Sequence, residues 1–182
     1  MLLLQMTGLS GSGKTTIAYQ VCDRLQKMGY PVEVLDGDQY RKTLFKDIGF
    51  SKEDRKENIR RLGFIADFLI RRRVIVLLSA INPYEEVRRE LEQRGPHVRT
   101  VFIDCNLETL EQRDTKGLYR RARLPDNNPE KISNLSGVND PYEKPTLPHL
   151  VLHTDQETEN ESAAKLLSYV LNELDLNVKT SG

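Results

Sequence analysis

The sequence predicts an α/β fold: a parallel five-stranded sheet with helices on both faces and a mobile lid. Three observations point there. Short apolar runs alternate with segments of helical periodicity along the 182 residues, the pattern of strands joined by crossover helices. A glycine-rich turn directly follows the first apolar run. Regular patterning then fails between residues 116 and 148, a stretch too long for an ordinary connection and rich in Arg and Lys, then Pro, Asn, Gly and Asp. The length suits one domain, residues 1–177, with that stretch as its lid and residues 178–182 as a polar tail.

The elements follow in order. Leu2-Leu3-Leu4-Gln5-Met6 is a short strand. Ile17, Val21, Leu25 and Met28 then share one helical stripe, with Gly29 as its stop. Val32 to Leu35 forms the second strand and runs into Asp36-Gly37-Asp38. Ser51-Lys52-Glu53-Asp54 resembles a capping box, opening a helix that turns Ile59, Leu62, Ile65, Ala66 and Leu69 inward. Val74 to Leu78 is apolar on both faces, as a fully covered strand must be. Pro83 opens the next helix, which ends near Gly95-Pro96, and Thr100 to Asp104 is the fourth strand. Leu150-Val151-Leu152 is the fifth, and Ala163, Leu166, Leu167, Val170, Leu171 and Leu174 form the stripe of a last helix.

Composition narrows the partners. Lys plus Arg total 27 and Asp plus Glu total 27, so no net field draws the chain to nucleic acid or to an anionic membrane. The apolar start Met1-Leu2-Leu3-Leu4 stops at Gln5, short of a signal sequence, and no run approaches the roughly 20 apolar residues of a membrane span. The expected location is cytoplasmic, with Cys22 and Cys105 as reduced core thiols. His97, His149 and His153 have no spacing that suggests zinc.

Gly8-Leu9-Ser10-Gly11-Ser12-Gly13-Lys14-Thr15 fills the Walker A pattern G-x-x-x-x-G-K-[ST]. Its glycines let backbone N–H groups point at phosphates, and the helix behind adds its positive end. Lys14 is expected on the β- and γ-phosphates of ATP, and the Thr15 hydroxyl on Mg²⁺. Asp36 and Asp38 stand at the carboxyl end of the second strand, where open α/β sheets place ligands. Either the pair is turn chemistry, or it orients the metal and takes the proton of an attacking hydroxyl. Lys116 to Arg123 opens the lid; its cations either close over the transferring group or form a basic surface helix. Most other arginines, including Arg71-Arg72-Arg73, read as solvated.

Taken together, several linked segments resemble the adenylylsulfate (APS) kinase family. They are Gly8 to Thr16, Leu35 to Asp38, Gly49 to Arg55 with Asn58 to Arg61, Arg113-Asp114, Lys116 to Tyr119 and Asp140 to Glu143. The resemblance implies transfer of the ATP γ-phosphoryl group to the 3′-hydroxyl of adenosine 5′-phosphosulfate (APS), giving PAPS and ADP in sulfate activation. It implies a homodimer, and is compatible with association with an ATP sulfurylase. On that pattern Asp38 is the candidate base and metal partner, supported by Asp36, with Lys14 as the other catalytic group. Gly8 to Thr16 and Arg113 hold ATP. Arg41, Arg55 and Asn58 hold the phosphosulfate side of APS, Phe50 stacks on its adenine, and Ile81, Lys116 and Leu135 complete the acceptor pocket.

The chain departs from the family pattern at three places. Asn82 occupies the position of a serine that some members phosphorylate, so no phosphoserine forms there. Leu135 and Ser133 replace a lid phenylalanine and lysine, and Leu124 to Pro129 is a small insertion. These departures leave two rival readings: a related kinase for another nucleotide-linked acceptor, such as cytidine diphosphoramidate, and an ATP-binding regulatory subunit without turnover.

Overall fold

The computed structural model describes residues 1–179. Its strands are β1 (Leu3–Thr7), β2 (Val32–Asp36), β3 (Ile75–Ser79), β4 (Val98–Asp104) and β5 (Leu150–His153). All pair in parallel, in the order β2-β3-β1-β4-β5. Every residue of β1 and β3 is buried, as strands covered on both faces require. The expected strands are present, shifted by one or two residues at their ends.

Helices cover both faces. On one, α1 (Lys14–Lys27) and α7 (Glu159–Lys179) pack Ile17, Val21, Leu25, Leu166 and Val170 against Leu2, Leu4, Met6, Leu77 and Ile103. On the other, α3 (Lys52–Arg71) and α4 (Glu85–Glu92) pack Ile59, Leu62, Val87 and Leu91 against Leu3, Leu35, Val76 and Leu78. Alternate residues of each strand thus feed opposite cores. The polar tail expected from residue 178 is corrected at its start, because α7 continues through Lys179; residues 180–182 lie outside the described residues.

Local chemistry sets the ends. Ser51 accepts from the Asp54 amide while the Asp54 carboxylate accepts from the Ser51 amide, so the capping box at the start of α3 is present as read. Gly29, at φ 86°, closes α1: its N–H donates to Gln26 and that of Tyr30 to Leu25, a Schellman ending. The helix expected from Pro83 begins at Glu85 instead. Asn82 has φ 43° and Tyr84 is extended, so the chain enters the helical region only after Tyr84.

Three short helices escaped the periodicity: α2 (Gly37–Thr43), α5 (Leu107–Arg113) and α6 (Leu118–Ala122). The last opens the stretch expected to be the lid. A small third apolar cluster of Cys105, Leu110, Tyr119, Ala122 and Leu135 joins that stretch to the rest, with Leu9 packed against it.

Candidate active site

A cleft of about 420 Å³ lies at the carboxyl ends of the strands. The loop from Gly8 to Gly13 forms its floor, between β1 and α1. Gly8 admits no side chain: a Cβ there would meet the Ile103 carbonyl at 2.5 Å and the Ser12 hydroxyl at 2.9 Å. Gly13, at φ 91°, adopts the left-handed conformation that starts α1. Tyr119 and Thr154 brace the loop from outside, donating from their hydroxyls to the Ser10 and Ser12 carbonyls at 2.7 and 3.0 Å.

Lys14 is folded back onto this loop, where its ammonium donates to the Leu9 carbonyl at 2.7 Å and the Ser12 hydroxyl at 3.3 Å. The side chain is buried. Desolvation pushes its pKa down to about 8, with Lys116 adding to the fall and Asp38 and Asp36 opposing it. A desolvated cation held only by neutral acceptors is poised for an anion.

Thr15 donates from its hydroxyl to Asp36 Oδ2 at 2.8 Å, and the Ser79 hydroxyl lies 3.0 Å away. The other Asp36 oxygen caps α2 by accepting from the Gln39 amide at 2.9 Å. Asp36 is thus both the cap of α2 and a neighbour of the P-loop hydroxyl. Asp38 pairs with Lys116, in the segment before α6, at 2.6 Å. Burial alone would raise its pKa, but the Lys116 hydrogen bond and the charges of Lys116, Lys14 and Lys42 hold it below the usual carboxylate range. Thr16 and Arg113 also line the cleft, and Arg113 is fixed by donating to the Thr154 carbonyl at 2.7 Å.

The sheet order divides the cleft. Asp36, Asp38 and Ile81 follow β2 and β3 on one side of the central strand; Arg113 and Thr154 follow β4 and β5 on the other. Beside the first half, the guanidinium groups of Arg41 and Arg55 lie 5.0 and 5.7 Å from the centre of the Phe50 ring, which is itself exposed. Burial, and then the neighbouring Arg55, lowers the Arg41 pKa. Two cations pressed together over an aromatic face suit a ligand with a base and an anhydride. Asn58 is buried nearby, and its Oδ1 has no partner.

Leu135, expected in the acceptor pocket, is only 5% exposed and packs within the apolar cluster of Cys105, Leu110 and Tyr119. The sequence reading also missed Ser79 and Thr154. Both sit at or just beyond the carboxyl end of a strand, the one signal that marks such positions.

Residues 1–153 match the sequence profile of the family described as adenylylsulphate kinase. An adenylyl-sulfate kinase of Synechococcus sp. (strain JA-3-3Ab) is 50% identical over 155 residues, covering 85% of each chain. Among solved structures, an APS kinase of Mycobacterium tuberculosis in complex with AMPPNP and APS superposes with a TM-score of 0.85 at 38% identity, covering 93% of this chain and 96% of that one. A hexameric APS kinase from Thiobacillus denitrificans aligns at a TM-score of 0.67 and 26% identity, over 94% of this chain and 29% of that one.

Proposed function

The chain belongs to the adenylylsulphate kinase family, and from that premise we propose that it transfers the γ-phosphoryl group of ATP to the 3′-hydroxyl of APS, giving PAPS and ADP. The observation that carries this reading is the two-sided cleft. The Walker A loop with a desolvated Lys14 forms its floor, and Asp36 and Asp38 line one half opposite Arg113 and Thr154 in the other. The group of Arg41, Arg55 and Phe50 lies outside this lining.

Phosphoryl transfer passes through a loose transition state, so the protein's task is positioning and charge stabilisation. Lys14 releases the Leu9 carbonyl and turns to the phosphates of ATP, whose base lies on the Arg113 side. Arg41, Arg55 and Asn58 take the phosphosulfate of APS, Phe50 stacks on its adenine, and Ile81 forms part of the wall. Asp38 accepts a hydrogen bond from the 3′-hydroxyl, orients its oxygen and takes its proton as the new P–O bond forms and the bond to the β-phosphate of ADP breaks. In a loose transition state that transfer is late, so an ionised carboxylate need not be a strong base. Lys116 moves from Asp38 to the transferring group as the mobile lid, residues 116–148, closes and excludes water.

The oxygen-only set of Thr15, Asp36, Ser79 and Asp38 fits a hard cation. Thr15 and Asp38 would hold Mg²⁺, which supplies neutralisation of phosphate charge when bound. Among the described residues no cluster of three His, Cys, Asp or Glu forms a metal cage, in keeping with an ion shared with substrate phosphates. No described helix is long and apolar enough to cross a membrane. The hexameric relative favours self-association, while the homodimer rests on the family resemblance.

The test is ADP release with Mg-ATP and a panel of acceptors led by APS and including cytidine diphosphoramidate. Turnover on APS far above the others supports the assignment; preference for another nucleotide-linked anion moves the substrate and keeps the kinase. ATP binding without transfer to any acceptor would defeat it.

A further inference from the structure

A guanidinium outside the cleft joins the wall of the cleft to the root of the lid. Arg88, on α4, is 1% exposed. Its Nη1 donates to the Asn82 carbonyl at 2.7 Å. Its Nη2 donates to the Glu143 carbonyl at 2.6 Å and, with Nε, to the Glu85 carboxylate at 2.7 and 3.0 Å. One side chain thus fastens the loop after β3, the first turn of α4 and the returning end of the lid. A buried guanidinium survives only when its donors are met, and here three segments must stay in register to meet them.

Other bonds lock the same junction. The Glu143 amide donates to the Pro83 carbonyl at 2.8 Å, and the Glu85 amide to the Glu143 carboxylate at 2.7 Å. Thr7 donates from its hydroxyl to the Ile81 and Asn82 carbonyls at 2.8 and 3.0 Å, with the Tyr142 hydroxyl 2.9 Å away. Gln5, fully buried in the central strand, accepts from the Asn82 amide at 3.1 Å and donates to the Arg88 carbonyl and the Thr100 hydroxyl, each at 2.9 Å. Asn82 needs such restraint, because at φ 43° it holds a conformation that non-glycine residues rarely adopt.

We propose that Arg88, with Glu85 and Glu143, is a positioning clamp that sets the affinity for the acceptor. It fixes Ile81 at the cleft wall and pins the lid's return, so that closure moves only the segment between Lys116 and that root. The clamp packs under β1 and β4 through Gln5 and Thr100, but the cleft residue it holds is Ile81, in the loop after β3 on the acceptor side, whereas the ATP base lies beyond β4 and β5. Its loss therefore weakens acceptor binding selectively. The proposal rests on the reading of APS as that acceptor.

The test compares Arg88→Lys, which keeps the charge and loses the fork, with Glu143→Ala at an exposed position that carries little folding burden. The expected result for Arg88→Lys is a rise of about tenfold in KM for APS, with KM for ATP within about twofold and kcat within about threefold of wild type. Glu143→Ala moves the same way by less, and Glu143→Gln, which keeps an acceptor oxygen for the Glu85 amide, restores wild-type values. A fall in kcat that only tracks the folded fraction, with both KM values unchanged, overturns the clamp, as do equal rises in both KM values. Hydrogen exchange supplies a readout independent of the acceptor. In Arg88→Lys the Glu143 amide is expected to exchange faster while amides of α1 stay as in wild type. Should wild type fail to phosphorylate APS, the acceptor assignment falls, and this exchange pattern alone decides the clamp: uniform or unchanged exchange overturns it.

Discussion

Replacing Lys14 by Met is expected to make the protein more stable at pH 7 while abolishing its chemistry. Lys14 is 8% exposed, and its ammonium is hydrogen-bonded only to the Leu9 carbonyl and the Ser12 hydroxyl. A fall from the ordinary 10.5 to about 8, at about 1.36 kcal/mol per pH unit, corresponds to a burial penalty of about 3 kcal/mol at pH 7. Met removes that penalty but takes one of two donors from the half-buried Leu9 carbonyl, which keeps the Ser12 amide at 3.3 Å; the loss costs about 1–2 kcal/mol. The balance is a gain of about 1–2 kcal/mol, or about 2–8 °C in Tm for a chain of this size. The sign with pH follows from the lowered pKa. Between about pH 8 and 10.5 the unfolded chain binds more protons at this lysine than the folded one, so wild-type stability from this group rises through that window. The advantage of Lys14→Met is therefore full below pH 8 and fades towards pH 10.5. Thermal and urea denaturation of both proteins without nucleotide, at pH 7 and pH 10, measure it. A less stable variant at pH 7, or a difference that does not shrink with pH, refutes the desolvation reasoning. Phosphoryl transfer by the variant is expected to fall by at least about 10²–10³.

Other changes separate chemistry from stability. Asp38→Asn is expected to lower kcat by about 10²–10⁴ with ATP binding retained, measured by steady-state kinetics and nucleotide titration. Its exposed pair with Lys116 adds little to the fold, so the same variant should change unfolding free energy by no more than about 1 kcal/mol. Phe50→Ala removes an exposed ring face and is expected to raise KM for APS about tenfold while leaving KM for ATP unchanged. Leu25→Ala, buried between α1 and the sheet, is expected to cost about 2–5 kcal/mol by urea denaturation, with kcat per folded molecule unaltered.

Much of the fold was legible because its signals are local. Ser51 and Asp54 lie three residues apart, Gly29 ends its helix through its own backbone, and the P-loop carries its glycines in sequence. The short helices α2 and α5 were not legible, since seven residues give no stripe and their caps resemble turn chemistry, whereas α6 falls where a basic surface helix was one of two readings. Asp36 caps α2 with one oxygen, as turn chemistry predicts, and accepts from Thr15 with the other, which leaves it beside the P-loop where its second reading places it. The burial of Leu135 was not legible for a different reason: Cys105 and Leu110, which pack on it, lie more than 20 residues earlier in the chain and only the fold brings them there. Arg88 falls in the class that periodicity assigns to solvent; its burial depends on acceptors from three segments, none of them visible one helix at a time.

The central claim is transfer to the 3′-hydroxyl of APS, and the most direct test is the identity of the product. The purified chain, Mg-ATP and APS, with Lys14→Ala as control, would be followed by mass spectrometry and ³¹P NMR. The account expects stoichiometric ADP and a product with one added phosphoryl group on the 3′-oxygen of APS, absent from the control. Unmodified APS beside intact ATP, or a phosphoryl group at another position, would contradict it.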